Sequence, residues 1–90
     1  VKSLAGHGVG KKAHEDPVIP EYGQRKTGMH LKSGMSLAIE VIYTEGKGDI
    51  YQKDDHWTLA SVDNSLGGLF EMSVIVGKAK PEVLTDWRKV

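Results

Sequence analysis

Between residues 35 and 43 apolar and polar positions alternate. Met35, Leu37, Ile39, Val41 and Tyr43 occupy every second place, with Ser36, Ala38, Glu40 and Ile42 between them. A period of two is the mark of a β-strand with two distinct faces. Residues 69–76 repeat the pattern, with Phe70, Met72, Val74 and Val76 on one face and Leu69, Glu71, Ser73 and Ile75 on the other. The all-apolar face of each strand is expected to form the core. The 3.6-residue period of an amphipathic helix is hard to find, and turn chemistry divides the remainder into short pieces. The pattern predicts a strand over 4–9 running into a glycine-rich bend, an irregular loop over 16–28 around Pro17 and Pro20, and a turn at 32–34. Beyond the first long strand it predicts a turn at 44–49, short strands at 50–52 and 57–62, and a turn at 63–65. A turn at 78–81, a last short strand at 83–84 and a frayed end complete one β-rich unit.

Each long strand carries one glutamate at its centre, Glu40 and Glu71, among apolar neighbours and opposite its expected core face. A lone carboxylate in such surroundings costs several kcal/mol unless it is paired, protonated or bound to a cation. One such residue suits a solvated face; two at matching positions, with Ile42 and Ile75 beside them, favour a shared cation.

Composition narrows the partners. The chain has 90 residues, enough for one small domain, with hydrophobic and charged fractions of 39% and 27% that argue against disorder. Twelve basic residues balance twelve acidic ones without a block of either sign, so nucleic acid and membrane surfaces have no electrostatic support. Cysteine is absent, so any metal would be held by His and carboxylates. No apolar run reaches the roughly 18 residues of a spanning helix, which favours a soluble, cytoplasmic protein. The glycines gather at 6, 8 and 10, at 46 and 48, and at 67 and 68. Such clusters mark turns or places where backbones pass closely.

The first cluster encloses a histidine, Gly6-His7-Gly8-Val9-Gly10, and His14-Glu15-Asp16-Pro17 follows. Flanking glycines leave an imidazole sterically free near a site. An imidazole with two carboxylates suits divalent Mn, Fe, Co or Zn. Gly-His-Gly alone also suits a plain turn, and His14 alone suits a surface. In combination, GHGVGKKAHEDP, LKSGMSLAIE and DDHWTLASVDNSLGGLFE resemble, in order and spacing, the methionine aminopeptidases. Asp55, Trp57 and Thr58, followed by Asp63 and Ser65, are similar to the type I branch rather than to its proline-specific relatives.

That resemblance implies the α+β pita-bread fold, with this chain as the β-rich C-terminal half, a curved antiparallel sheet. Residues 1–90 would be the C-terminal part of a single catalytic domain, the N-terminal half being absent. It implies two divalent metal ions (Co, Mn, Fe or Zn). His7 and Glu40 would ligate one, and Glu71 would bridge both. His14 would contact the scissile amide, Trp57 would line the pocket for the terminal methionine, and Glu40 would shuttle a proton. The implied substrate is the N-terminal methionine of nascent polypeptides in the cytoplasm, with the ribosome as an associated partner. The family's two aspartate ligands match no position here, so the 90 residues are expected to be inactive alone and marginal or aggregation-prone. Glu40 is followed by Val41 where the family has proline. Glu71 is followed by Met72 and Ser73 where it has His-Thr, and Ser73 keeps a hydroxyl that could orient Glu71. Lys11, Lys12, His30 and His56 read as surface residues. The rival readings are a non-catalytic pita-bread interaction protein, disfavoured by the presence of all three expected ligands, and an Xaa-Pro peptidase.

Overall fold

The two alternating runs become the two longest strands and pair with each other along their whole lengths. In the computed structural model, which describes residues 1–89, the strands are β1 (Ala5–Gly8), β2 (Glu15–Pro20), β3 (Ser36–Thr44), β4 (Ile50–Gln52), β5 (Leu59–Ser61), β6 (Gly67–Ile75) and β7 (Glu82–Val83). Five form an antiparallel sheet in the order β2-β1-β3-β6-β7, and β4 and β5 make a separate two-stranded sheet. In the β3–β6 ladder Leu37 faces Val74, Ile39 faces Met72 and Val41 faces Phe70, while Ala38 faces Ser73 and Glu40 faces Glu71. The pairing register therefore joins like faces, as period-two reasoning requires.

The expected loop over 16–28 instead begins as the strand β2. Its prolines are tolerated because β2 lies at the sheet's edge and pairs with β1 alone. The register also shifts between His7 and Gly8, so β2 bulges around Pro17. β6 starts earlier than expected, taking in Gly67 and Gly68 opposite Thr44 and Tyr43. A Cβ on Gly68 would stand 2.5 Å from the Tyr43 hydroxyl, so glycine here lets the ring lie across the ladder. β5 is shorter than expected because Trp57 and Thr58 are held in a turn by Asp55. The end of the chain is not frayed through Lys89: a 3-10 turn, Trp87–Lys89, follows Asp86, which accepts bonds from the Arg88 backbone and guanidinium.

The expected core is the principal correction. Only Leu37 and Ala38 are buried apolar residues among those described, at 1% and 2% exposure. Ile39, Val41, Tyr43 and Phe70 share the apolar face yet remain exposed, Phe70 by 58%. Among the described residues there is no α-helix to lie on that face, and no helix long and apolar enough to cross a membrane. The chain thus carries the sheet of the expected α+β fold, with its apolar face covered at Leu37 but open around Val41, Tyr43 and Phe70. Leu37→Ala is expected to cost about 2–5 kcal/mol, whereas Val41→Ala, half-exposed, should cost under about 1 kcal/mol. Paired urea melts measure both.

Candidate metal centre

The antiparallel registers bring His7 and the two glutamates to one side of the sheet. His7 on β1 pairs with Ala38 on β3, and Ala38 pairs with Ser73 on β6. One side-chain step along, Glu40 pairs with Glu71. Glu40 is thus the diagonal neighbour of His7 and the direct cross-strand neighbour of Glu71, within side-chain reach of both. The small Ala38 beneath leaves space between them.

Close packing explains the glycines around His7. A Cβ on Gly6 would lie 2.4 Å from the Ala38 carbonyl oxygen, and one on Gly8 would lie 2.0 Å from that of Asp16. Only glycine allows β1 to pass so near both neighbours. The imidazole is oriented by its own backbone: Nδ1–H donates to the Gly8 carbonyl oxygen at 2.9 Å. A carbonyl can only accept, so Nδ1 carries a proton, and it is Nε2 that would offer a lone pair to a cation. This is the arrangement by which ligand histidines are commonly fixed. His7 Nε2 stands 3.9 Å from Glu40 Oε1, with the two side chains 16% and 11% exposed. The β2 bulge brings in His14, whose ring centroid lies 4.4 Å from that of His7 at a 51° tilt.

Glu40 is electrostatically strained. Burial raises its carboxyl above the ordinary value, and Glu71 adds to the rise. His7 pulls the other way, Glu21 raises it further and His14 lowers it slightly. Among the described residues Glu40 accepts no hydrogen bond, so this largely buried carboxylate is set against two like charges, Glu71 and Glu21, with the imidazoles of His7 and His14 acting the other way. Glu21 is a site neighbour that the sequence did not disclose. It follows Pro20 in irregular chain, where no periodicity marks it, and its carboxylate accepts the Ile42 N–H at 2.5 Å.

The donor set fits a divalent cation in part. Two donors each about 2.1 Å from one ion can lie at most about 4.2 Å apart, so the His7–Glu40 spacing is within reach of a shared ion. Both atoms also offer free lone pairs. Among the described residues, however, no three His, Asp or Glu side chains close a cation cage by themselves. Glu71 is adjacent but solvent-exposed. Ser73 does not orient it: among the described residues no hydrogen bond links the Ser73 hydroxyl to Glu71, and the Ser73 backbone instead binds Thr85 and Leu84. Met72 lies on the opposite, apolar face, so its departure from the family pattern is remote from the carboxylates. Trp57 is not brought to this group. It stands in the turn between β4 and β5, 85% exposed. His30, His56, Lys11 and Lys12 are exposed as expected. An apolar hollow lies across the sheet, between Leu37, Ile39, Phe70 and Met72, and so does not mark the ionisable cluster.

Residues 1–78 match the model of metallopeptidase family M24. The methionine aminopeptidase of Clostridium perfringens is 39% identical over 85 residues, covering 94% of this chain and 34% of that protein. That of Escherichia coli K12 is 36% identical over 85 residues, 94% of this chain and 32% of that protein. The crystal structure of the Thermotoga maritima methionine aminopeptidase superposes with a TM-score of 0.90 at 42% identity, covering 94% of this chain and 34% of that one. The Rickettsia prowazekii methionine aminopeptidase superposes with a TM-score of 0.87 at 37% identity, covering 92% of this chain and 34% of that one. The chain therefore spans about a third of the length of the relatives it matches. With β1, β3 and β6 in register, a fixed imidazole beside a strained carboxylate, and these likenesses over nearly its whole length, the chain belongs to metallopeptidase family M24 and has the sheet of the pita-bread fold.

Proposed function

We propose that this chain forms the histidine–glutamate wall of a two-metal site in a type I methionine aminopeptidase, which removes the N-terminal methionine of nascent polypeptides in the cytoplasm, near the ribosome. The reading is carried by the His7–Glu40 pair, an imidazole whose Nε2 is left free by the Nδ1 bond, set 3.9 Å from a carboxylate that accepts no hydrogen bond among the described residues. His7 and Glu40 would hold one divalent Co, Mn, Fe or Zn ion, and Glu71, across the ladder, would extend the site to a second. Because these three do not close a cage, the proposal requires further donors, the two aspartates implied by the resemblance.

Divalent cations, when bound, polarise a scissile carbonyl and make water nucleophilic near neutral pH. The chain's own groups do the rest. Glu40, with its carboxyl raised by burial, accepts a proton and delivers it towards the leaving amine. His14, beside His7 and open to solvent, donates to the carbonyl oxygen as negative charge develops there. Trp57 forms part of the wall for the methionine side chain.

Two measurements test this reading. In the protein that includes those further donors, binding of Mn or Co, followed by calorimetry, is expected to weaken in His7→Ala by at least the roughly 10- to 100-fold that changing a ligand's hydrogen-bond partner causes, while the 90-residue chain alone releases no methionine. If His7→Ala matches the parent, the metal assignment is lost. Turnover by these 90 residues alone would refute the need for further ligands, and release from Xaa-Pro but not Met-Ala peptides would move the protein to its proline-specific relatives.

A further inference from the structure

The β4–β5 hairpin stands apart from the main sheet, yet two aspartates clasp it at both ends. At its tip, Asp55 Oδ1 accepts the backbone N–H groups of Trp57 at 2.9 Å and Thr58 at 2.8 Å, and Oδ2 accepts the Thr58 hydroxyl at 2.5 Å. At its base, Asp63 Oδ1 accepts the Ser65 N–H at 3.1 Å and the Ser65 hydroxyl at 2.6 Å. Asp63 Oδ2 accepts the Lys47 N–H at 2.9 Å, so one carboxylate ties the turn before β4 to the turn after β5. The fit is tight, because a Cβ on Gly46 would lie 2.0 Å from Asp63 Oδ2. Backbone bonds from Val62 to Asp49 and from Glu45 to Leu66 reinforce the same base.

We propose that residues 50–61 form a braced arm in which Asp63 and Asp55 are positioning residues that set where Trp57 meets an apolar side chain of the substrate. The substrate part of this inference rests on the proposed aminopeptidase reading. The brace itself rests on the hydrogen bonds alone. Trp57 is 85% exposed and has no packing to locate it, so the backbone beneath it is the element that can be fixed in advance. Both carboxyls are held below the ordinary range, each first by its hydroxyl donor and then by backbone N–H groups, which keeps both clasps ionised near neutral pH.

The two clasps differ in a way that makes a sharp test. Both backbone donors at Asp55 use the same oxygen. Asparagine keeps that oxygen, and its NH2 group can donate to the Thr58 hydroxyl, which is able to accept. Asp63 needs both oxygens as acceptors of backbone N–H groups. In Asp63→Asn, either orientation of the amide sets NH2 against a backbone N–H.

Amide hydrogen exchange is measured on the parent chain and on Asp55→Asn, Asp55→Ala, Asp63→Asn and Asp63→Ala, with KM and kcat for a Met-Ala-Ser peptide read in the protein that includes the further metal donors the proposed function requires. In Asp55→Ala the Trp57 and Thr58 amides are expected to exchange at least about tenfold faster, while Asp55→Asn stays within about twofold of the parent. Asp63→Asn is expected to lose protection at one of the two backbone amides that Asp63 holds, Lys47 or Ser65, and Asp63→Ala at both. KM should rise about tenfold in Asp55→Ala and Asp63→Asn, with kcat changed less than about twofold, the mark of lost binding rather than lost chemistry. Protection retained at both Lys47 and Ser65 in Asp63→Asn, or an Asp55→Asn as exposed as Asp55→Ala, overturns the brace. Exchange as expected with KM unmoved overturns the substrate role and leaves the aminopeptidase reading standing. A parent protein that includes the further metal donors and still releases no methionine removes that reading and the substrate role together, and exchange alone then decides the brace.

Discussion

Glu40→Gln is expected to stabilise the metal-free chain at neutral pH while lowering methionine release, in the protein that includes the further metal donors, on the order of 10²–10⁴-fold. The opposite signs come from one cause. Glu40 is largely buried, lacks a hydrogen-bond donor and faces Glu71 directly across the ladder, an arrangement in which like charges repel. Its carboxyl is raised above the ordinary value of 4.5, mainly by burial and then by Glu71. A raised carboxyl in the folded state favours the protonated form. Its stabilising effect is complete below about 4.5 and disappears as pH rises through the folded value. Chelated parent protein should therefore lose stability as pH rises through that window, and Glu40→Gln should lose less. The Asp86 carboxyl, held at about 2 by hydrogen bonds from Arg88, acts in the reverse sense and only in stronger acid. A cation would remove the penalty by countering both glutamates, so metal should stabilise the parent more than the variant. Thermal melts with and without chelator, from pH 4 to 8, read this out. A Glu40→Gln variant less stable than the parent in chelator would mean that Glu40 is a structural group rather than a poised ligand.

The second large effect is expected at Gly8. An alanine Cβ there would lie 2.0 Å from the Asp16 carbonyl oxygen and 2.7 Å from its carbon, both backbone atoms at the bulge. Backbone cannot turn aside as a side-chain tip can, so β2 must move from β1, at a cost of about 1–3 kcal/mol or more. The displaced bulge also carries the segment that sets His14 beside His7. Gly8→Ala should thus lose both stability and the His7–His14 contact, the latter visible as a change in the two histidine ring signals by NMR. Gly67→Ala is the comparison, because its Cβ would meet the Tyr43 carbonyl oxygen at 3.2 Å, a distance that a small shift relieves. Equal losses at the two positions would show that general glycine-to-alanine strain, and not the close passage at the bulge, is responsible.

How much could be read from residues alone depended on whether the signal was local. Strict alternation over 35–43 and 69–76 was enough to separate the faces, and the register pairs the two sides as parity required. Gly-His-Gly marked a close backbone passage, which the contacts at Gly6 and Gly8 bear out. The order of three motifs indicated the family that the comparisons show. These are properties of neighbours in the chain, where the covalent geometry of a strand dictates which side chains share a side.

Three other features came from the folded arrangement. Pro17 and Pro20 look like loop residues until β2 is placed at an edge, where a strand can do without their N–H groups. Glu21 becomes a neighbour of Glu40 only because irregular chain returns to β3. The apolar face, expected as a core, stays open around Val41, Tyr43 and Phe70 because alternation says which side chains lie together but not whether another layer covers them. Sequence thus determined the strands, their faces and the kind of groups that meet. Tertiary structure decided which of those groups meet, how buried each one is and which nitrogen of His7 is free, because burial and hydrogen bonding depend on segments far apart in the chain.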